Sequence, residues 1–195
     1  MKVDTIKNYL VEDKKEDFFK IVNEIYTITE HLNKTYPGYR EWFFDKQVKG
    51  CYTPNRNIIF VENEKGNIIG ICCLKKDDEE RKICTLFVDS NHRMQGIGTI
   101  LLEEAIKFLG TTNPLITFTE DKISIFVKII EKYDWQLTEI VDGAYNENNR
   151  EFCFNGQLTK RNYRQELLEI LRDLKNIASE KLEPTDTLDK ITVKR

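Results

Sequence analysis

Two glycines stand one residue apart in the run Arg93–Gly98, which reads RMQGIG and lies between a strand-like segment and a helical pattern. Each glycine costs a helix about 1 kcal/mol relative to alanine, so two of them in a first turn require a compensating role. Glycine lets another group approach the backbone closely, and the first amides of a helix lie unpaired at the positive end of its dipole. Such a turn is suited to bind a diphosphate.

Other glycine-rich motifs fit this run less well. It is not a P-loop, because the spacing differs and no Lys-Ser/Thr pair follows the glycines. It is a poor dinucleotide-binding fingerprint, because a third glycine is missing and the preceding strands form a meander rather than the start of a βαβ unit. A purely structural role, in which Gly96 and Gly98 only permit close packing, stays open on the motif alone.

Hydrophobic periodicity predicts alternating strands and helices around this turn. The predicted order is β-α-α-β-β-β-α-β-α-β-β, followed by one further helix. Strands are expected at 5–10, 57–62, 67–74, 82–88, 114–119, 135–141 and 151–154, and helices at 16–32, 42–48, 97–109 and 123–133. Three meandering strands that lead into a strand–turn–helix–strand unit indicate an α/β fold, with a central mixed sheet of about seven strands and helices on both faces.

The pattern changes near residue 160, where apolar residues follow a three-four repeat. This repeat predicts one long amphipathic helix of roughly six turns, and a polar tail follows it. We therefore divide the chain into a domain at 1–157 and a C-terminal helical extension and tail at 158–195. A homodimer formed through this helix is a further expectation.

The glycine turn and its flanks resemble a known family. The strand residues Leu86–Val88 read LFV, the turn Arg93–Gly98 follows, and the helix continues through Leu101–Ala105, which reads LLEEA. This is similar to the signature of the GNAT N-acetyltransferases, Arg/Gln-x-x-Gly-x-Gly/Ala after a strand that ends in an apolar-x-Val pattern. In element order the resemblance covers about residues 5–156, and it is sharp over 82–109. It implies a GNAT-like acyl-CoA N-acyltransferase fold.

The resemblance also implies a cosubstrate, acetyl-CoA, and the residues that bind it. The loop opened by Met94 would hold the coenzyme A diphosphate through the backbone amides of Gln95, Gly96, Ile97, Gly98 and Thr99. The pantetheine arm would pair, like an added strand, with the backbone of Leu86, Phe87 and Val88. A backbone amide would polarise the thioester carbonyl while the acceptor amine attacks it directly, with no metal needed.

The catalytic side chains depart from the family pattern. The tyrosine that often protonates the departing thiolate is replaced by Ile130, and Tyr133 lies three residues later. Many relatives carry a carboxylate where this chain has Lys82, and Glu80 would face the same side of an extended strand. We therefore take Glu80 as candidate base and Tyr133 as candidate acid, with Glu62 as another candidate base. The alternatives are a solvated turn for Glu80 and a helix-end aromatic for Tyr133.

The bulk composition narrows the function classes. The 30 basic and 33 acidic side chains give a net charge of −3, which offers no electrostatic case for nucleic-acid or membrane binding. The chain shows no signal peptide and no apolar run long enough to span a bilayer. Its five cysteines are odd in number and lack a C-x-x-C pair, which indicates reduced thiols and a cytoplasmic location.

Two functions remain open. The first is an N-acetyltransferase that transfers acetyl from acetyl-CoA to a primary amine, on a small molecule or a protein. The second is a non-catalytic acyl-CoA-binding or protein-interaction module on the same fold, which the replaced tyrosine and the uncertain base would suit.

Overall fold

In the computed structural model, which describes residues 1–158 and residue 171, seven strands alternate with four α-helices. The strands are β1 (Lys2–Thr5), β2 (Arg56–Glu62), β3 (Ile68–Lys76), β4 (Arg81–Val88), β5 (Ile116–Thr119), β6 (Leu137–Asp142) and β7 (Arg150–Phe154). The α-helices are α1 (Lys15–Thr29), α2 (Tyr39–Glu41), α3 (Ile97–Leu109) and α4 (Ile123–Lys132), and α2 continues as a π-helical segment over Trp42–Val48. The predicted C-terminal helix lies outside the described residues, so the helix and the 157/158 boundary stay predictions.

The strands form two antiparallel sheets that meet at one point. The first sheet has the order β1-β2-β3-β4 and the second the order β5-β7-β6. A single parallel bridge between Lys82 and Leu115 joins them: the amide of Ile83 donates to the Leu115 carbonyl at 3.0 Å, and the amide of Leu115 donates to the Arg81 carbonyl at 2.9 Å. The predicted mixed architecture with seven strands is confirmed, and its parallel component is this one bridge.

Both faces of the first sheet are covered by helices. In β2, Ile58 and Phe60 point into a core with α1 and α2, whereas Ile59 and Val61 point into a core with α3. Successive strand residues face opposite sides, so a strand covered on both faces reads as a continuous apolar run. The stripe Phe18, Ile21, Val22 and Ile25 gives α1 one buried face.

The N-terminal segment differs from the expected strand at 5–10. Strand pairing ends at Thr5, opposite Ile59, and a 3-10 turn over Ile6–Tyr9 follows. The hydroxyl of Thr5 accepts a hydrogen bond from the Lys7 amide at 3.5 Å, and the side chain of Ile6 is fully buried. A side-chain cap that competes with the ladder, together with one anchoring apolar residue, explains the early end of the strand.

Within the described residues, no helix is both long enough and apolar enough to cross a membrane. The same part of the chain contains no cluster of three or more His, Cys, Asp or Glu side chains that could hold a metal ion.

Gly70 in β3 allows α3 to lie close to the sheet. A Cβ atom at this position would come within 2.9 Å of Ile97 Cγ2 and 3.0 Å of Leu101 Cδ1. We expect Gly70→Ala to lower the free energy of unfolding by about 1–3 kcal/mol, because the helix would have to move outward. Urea denaturation measures this change.

The matched comparison is Gly98→Ala in α3. A Cβ atom there would meet only Val88 Cγ2, at 4.0 Å, so alanine should raise the stability by up to about 1 kcal/mol. Equal effects of the two substitutions would contradict the close-packing role of Gly70.

Candidate active site

The loop between β4 and α3 reverses the chain through two left-handed residues. Met94 has φ 61° and Gly96 has φ 82°. A left-handed conformation costs a non-glycine residue about 1–2 kcal/mol, and the side chain of Met94 is 90% exposed, so packing does not compensate the strain. The Asp89 side chain stabilises the start of the loop by accepting from the Asn91 amide at 2.9 Å. Strain of this kind clusters at binding sites.

The entrance of α3 offers unpaired amides to solvent. Gly96 is the N-cap, and no side chain caps the helix. The first amides of the helix therefore lack an intrahelical acceptor and lie at the positive end of the dipole. Ile97 is buried and anchors the turn, whereas a Cβ atom at Gly98 would have only Val88 Cγ2 nearby, at 4.0 Å. The loop from Met94 to Thr99 thus forms one continuous surface that fits an anion.

Strands β4 and β5 part beyond the Lys82–Leu115 bridge. On its other edge, β4 stays paired with β3, where Leu86, Phe87 and Val88 lie opposite residues 72, 71 and 70. We call the space between β4 and β5 past the bridge the β4–β5 gap. Within the described residues the β4 edge along this gap has no strand partner, so it can accept an added extended chain. The gap opens toward the loop that begins after Val88.

Glu80 lies at the opposite end of β4, in the β3–β4 hairpin. Its carboxylate is ion-paired with the Lys75 ammonium at 2.8 Å, and Lys75 also contacts Asp77 at 2.6 Å. Leu86 is six residues further along, a distance of roughly 20 Å in an extended strand at about 3.3 Å per residue. The structure therefore places Glu80 before the bridge and not along the gap.

Tyr133 is the C-cap residue of α4. Its ring stacks on Trp135 with centroids 6.1 Å apart, and the Lys132 ammonium lies 5.0 Å from its ring centroid. These contacts belong to the packing at the end of the helix, where Asp134 adopts φ 50° and the Trp135 amide donates to the Ile130 carbonyl at 2.9 Å.

A buried carboxylate that the sequence analysis did not single out lies near the bridge. Glu151 in β7 is 1% exposed, and neither of its carboxylate oxygens has a hydrogen-bond partner in the described chain. It pairs across the sheet with Thr119 of β5. The available signal was a charged residue at the head of the apolar strand run that ends at Phe154, where a glutamate requires a reason to be buried.

Several polar side chains surround Glu151. Lys82 is 5% exposed, and its ammonium donates to the Tyr145 hydroxyl at 3.0 Å. The Tyr145 ring meets that of Tyr36 edge-on, with centroids 5.8 Å apart. We call this set the Glu151 cluster; its members are Lys82, Tyr36, Thr117, Tyr145 and Glu151.

The Glu151 cluster lies on the α1/α2 face of the sheet. Ile83, Ile116 and Phe118 point into the α3 core. Lys82 is the strand neighbour of Ile83, and Thr117 lies between Ile116 and Phe118. Because alternate strand residues face opposite sides, Lys82 and Thr117 point away from α3. Tyr36 packs against the core formed with α1 and α2, which confirms the assignment.

Burial raises the pKa of Glu151 to about 7, because a carboxylate in an apolar interior loses its hydration. The Thr117 hydroxyl and the Lys82 ammonium both lower the pKa of Glu151, although the hydroxyl lies outside hydrogen-bonding geometry. The charge of Asp121 raises it. Burial also acts to lower the pKa of Lys82, but its interactions with Tyr145, Cys84 and Glu80 together outweigh this, and the pKa of Lys82 is raised overall. Lys82 therefore stays a cation while Glu151 can titrate near neutral pH.

The raised pKa of Glu151 predicts a pH-dependent stability. Between its ordinary value of 4.5 and about 7, the folded chain binds more protons than the unfolded chain, so the free energy of unfolding falls as pH rises. The contribution of this residue should decrease by roughly 2 to 3 kcal/mol from pH 5 to pH 8. Urea denaturation at several pH values should show this decrease in the parent and not in Glu151→Gln.

Glu147→Gln is the matched control, because Glu147 is exposed in the β6–β7 loop. Asp4, whose pKa is lowered to about 2, titrates below this window and does not interfere. Parallel pH dependence in the parent and in Glu151→Gln would show that Glu151 titrates at its ordinary pH.

The comparisons with solved structures identify the fold. The ribosomal-protein-S18-alanine N-acetyltransferase from Escherichia coli matches with a TM-score of 0.54 and 12% identity, over 78% of this chain and 90% of that chain. A spermidine N-acetyltransferase SpeG chimera from Vibrio cholerae and hSSAT matches with a TM-score of 0.51 and 12% identity, over 68% of this chain and 88% of that one. A Bacillus anthracis protein assigned as a streptothricin acetyltransferase, solved with acetyl coenzyme A, has a TM-score of 0.47 and 18% identity, over 56% and 67% of the two chains.

Among curated proteins, none matches the sequence significantly. The model of the acetyltransferase (GNAT) family matches residues 15–118, more than half of the chain. This region runs from the start of α1 to β5, so it includes the glycine turn, the entrance of α3 and both strands that border the β4–β5 gap. The chain belongs to the GNAT acetyltransferase family.

Proposed function

We propose that this chain is an acetyl-CoA-dependent N-acetyltransferase that acetylates a primary amine. The observation that carries the proposal is the continuity between two features: the uncapped entrance of α3 and the unpaired edge of β4 along the gap. Val88 ends the strand edge, and its side chain lies 4.0 Å from where a Cβ of Gly98 would be. An anion at the helix entrance and an extended arm in the gap can therefore belong to one molecule.

The residues present fit coenzyme A. The diphosphate would be held by backbone amides in the turn and first helical positions, where glycine leaves the surface open: Gln95, Gly96, Ile97, Gly98 and Thr99. The pantetheine arm would pair with the β4 edge formed by Leu86, Phe87 and Val88. Met94, exposed at the mouth of the loop, would border the same site.

Acetyl-CoA supplies an activated acetyl thioester. The amine nitrogen forms a bond to the acetyl carbon, the carbon–sulfur bond breaks, and the thiolate leaves with that electron pair and takes up a proton. The protein's part is to fix the donor along the β4 edge, to neutralise the diphosphate charge, and to remove protons from the amine. Glu80 and Tyr133 remain candidates for proton transfer, but Glu80 is ion-paired with Lys75 and Tyr133 is packed against Trp135.

The names of two structural neighbours specify amine acceptors, an alanine of a ribosomal protein and spermidine. These names supply two probes, spermidine and a peptide with an N-terminal alanine, and an aminoglycoside adds a third amine that is cationic at neutral pH. Release of free thiol from acetyl-CoA in the presence of one of these amines, above the rate without amine, is the expected result. Tight binding of coenzyme A without turnover of any amine would favour the alternative, a non-catalytic acyl-CoA-binding module.

The diphosphate site can be tested apart from turnover. We expect Gly98→Glu to weaken coenzyme A binding by at least about 100-fold, because the new carboxylate would lie beside the diphosphate, and like charges in contact cost several kcal/mol. The fold should be retained, because the position has an ordinary backbone conformation and open space, and a carboxylate in the first turn favours the helix dipole. Isothermal titration calorimetry with coenzyme A measures the effect.

Thr112→Glu is the matched control. Thr112 is exposed just beyond the far end of α3, so this substitution adds the same charge away from the helix entrance. Equal affinity of coenzyme A for the parent and for Gly98→Glu would contradict the proposed diphosphate site.

A further inference from the structure

We propose that Glu151 binds the ammonium group of the acceptor and takes its proton, so that β7 supplies the catalytic base and the acceptor enters as a cation. This inference rests on the proposed function. It adds the residue that acts as the base and the positive charge of the acceptor. It is carried by the position of Glu151 relative to the β4–β5 gap and by its unpaired buried carboxylate.

The Glu151 cluster lies where β4 and β5 meet. Lys82 and Leu115 form the bridge that closes the gap, Thr117 follows on β5, and Glu151 is paired with Thr119 on the next strand. A donor whose diphosphate lies at the α3 entrance and whose arm follows β4 would point its reactive end toward this closed end. Thr119 lies four residues past Leu115, roughly 13 Å along β5 at about 3.3 Å per residue. The backbone of Glu151 is therefore level with the gap, and its carboxylate, which interacts with Thr117 and Lys82, lies beside the route that such an arm would follow.

The carboxylate of Glu151 is incomplete without a further partner. A buried ionised carboxylate without hydrogen bonds costs several kcal/mol, and nearly all buried polar groups in folded proteins are paired. Lys82, whose charge acts on Glu151, donates to Tyr145 rather than to Glu151, and both oxygens of Glu151 remain unpaired within the described chain. An ammonium group carries three donors and a positive charge, so it could satisfy both oxygens at once.

The charged and titratable groups around Glu151 favour a cation. The groups that interact with it come from β4, the segment after α1, the turn after β5 and β7 itself: Lys82, Tyr36, Asp121 and Cys153. Tyr145 of the β6–β7 loop contacts two of these, Lys82 and Tyr36. Burial raises the pKa values of both Tyr36 and Cys153, so they stay neutral near pH 7. Asp121 is already ion-paired with Lys122, and the Lys82 ammonium is hydrogen-bonded to Tyr145. Ionised Glu151 therefore has no direct ion-pair partner among the described residues, and an ammonium group could supply one.

Tyr145 is the exposed member of the Glu151 cluster. Its side chain is 40% exposed, and it is held by the hydrogen bond from Lys82 and the edge contact with Tyr36. The loop that carries it is tied to the segment after α1 through Asn146, whose amide donates to the Thr35 carbonyl at 3.1 Å. The Lys82 ammonium also lies 5.7 Å from the centroid of the Tyr145 ring, so this ring already takes part in one cation–π contact.

The proposed step balances as follows. One N–H bond of the ammonium breaks, its proton moves to an oxygen of Glu151, and the electron pair stays on nitrogen. That pair forms the bond to the acetyl carbon while the carbon–sulfur bond breaks and its electrons leave with the thiolate. The thiolate takes a second proton from nitrogen, and Glu151 returns the first to solvent, so one turnover yields one amide, one thiol and one proton.

The test compares the parent with Glu151→Gln, and uses Glu147→Gln as the control. With whichever of spermidine, an aminoglycoside or an N-terminal-alanine peptide is turned over best, kcat/KM of Glu151→Gln should fall at least about 100-fold, the usual effect of losing a general base. In the parent and in Glu147→Gln, kcat/KM should rise about tenfold per pH unit below an inflection near pH 7, because only ionised Glu151 accepts a proton. Coenzyme A affinity should be the same in all three, which also shows that the variant is folded.

A second readout does not depend on turnover. In protein labelled with 13C-glutamate, the carboxyl signal absent from Glu151→Gln should titrate near pH 7, and adding the amine probe should move this titration to lower pH. Full activity of Glu151→Gln on an amine that the parent acetylates would overturn the inference and leave the proposed function standing. Failure of the parent to acetylate any amine while binding coenzyme A would overturn the proposed function, and the inference with it.

Discussion

A single parallel bridge between Lys82 and Leu115 controls the arrangement of this molecule. It joins two antiparallel sheets at one end of β4, and beyond it no other strand of the described residues pairs with β4 on that edge. Each of the two strands is paired on its other edge, β4 with β3 and β5 with β7, and within the described residues their facing edges meet only at the bridge. The free backbone edge is thus a property of the topology rather than of any one side chain.

The glycine turn complements this edge. Gly70 lets α3 approach the sheet, Ile97 fills the contact, and the helix entrance is thereby fixed next to Val88 at the open end of the gap. The amides at the entrance then adjoin the edge of β4, which has no strand partner among the described residues on that side and whose Val88 carbonyl accepts from Arg93 Nε at 3.2 Å. Neither part requires a charged side chain, which explains why the net charge and composition say little about the activity.

The sequence predicted the element order and most boundaries to within a few residues, because both the strands and α1 carry clear apolar periodicity. The N-terminal strand was misplaced, since the cap at Thr5 and the burial of Ile6 are tertiary effects. The glycine turn was readable because its backbone requirement restricts residue type. The alternation of side chains along a strand favoured Glu80 as the base, because it faces the same side as residue 82. Alternation does not reveal that the Glu80 carboxylate forms an ion pair with Lys75.

Glu151 was missed for a related reason. Its neighbours Lys82 and Tyr36 come from segments far away in sequence, and the register that sets Glu151 opposite Thr119 is not encoded in local pattern. A lone glutamate in an apolar strand was the available indication, and only the three-dimensional arrangement shows that it lacks a partner.

The two sides of the sheet divide the molecule into independent halves. The turn at Gly96 leads into α3, which packs on one face of the sheet, whereas Lys82, Tyr36 and Glu151 lie on the opposite face. The strands of the sheet separate the two groups. Residues of the β6–β7 loop or of the segment after α1 can therefore change in evolution without disturbing the glycine turn. Diversification of what is modified, with a constant acyl donor, is the outcome that such a partition permits.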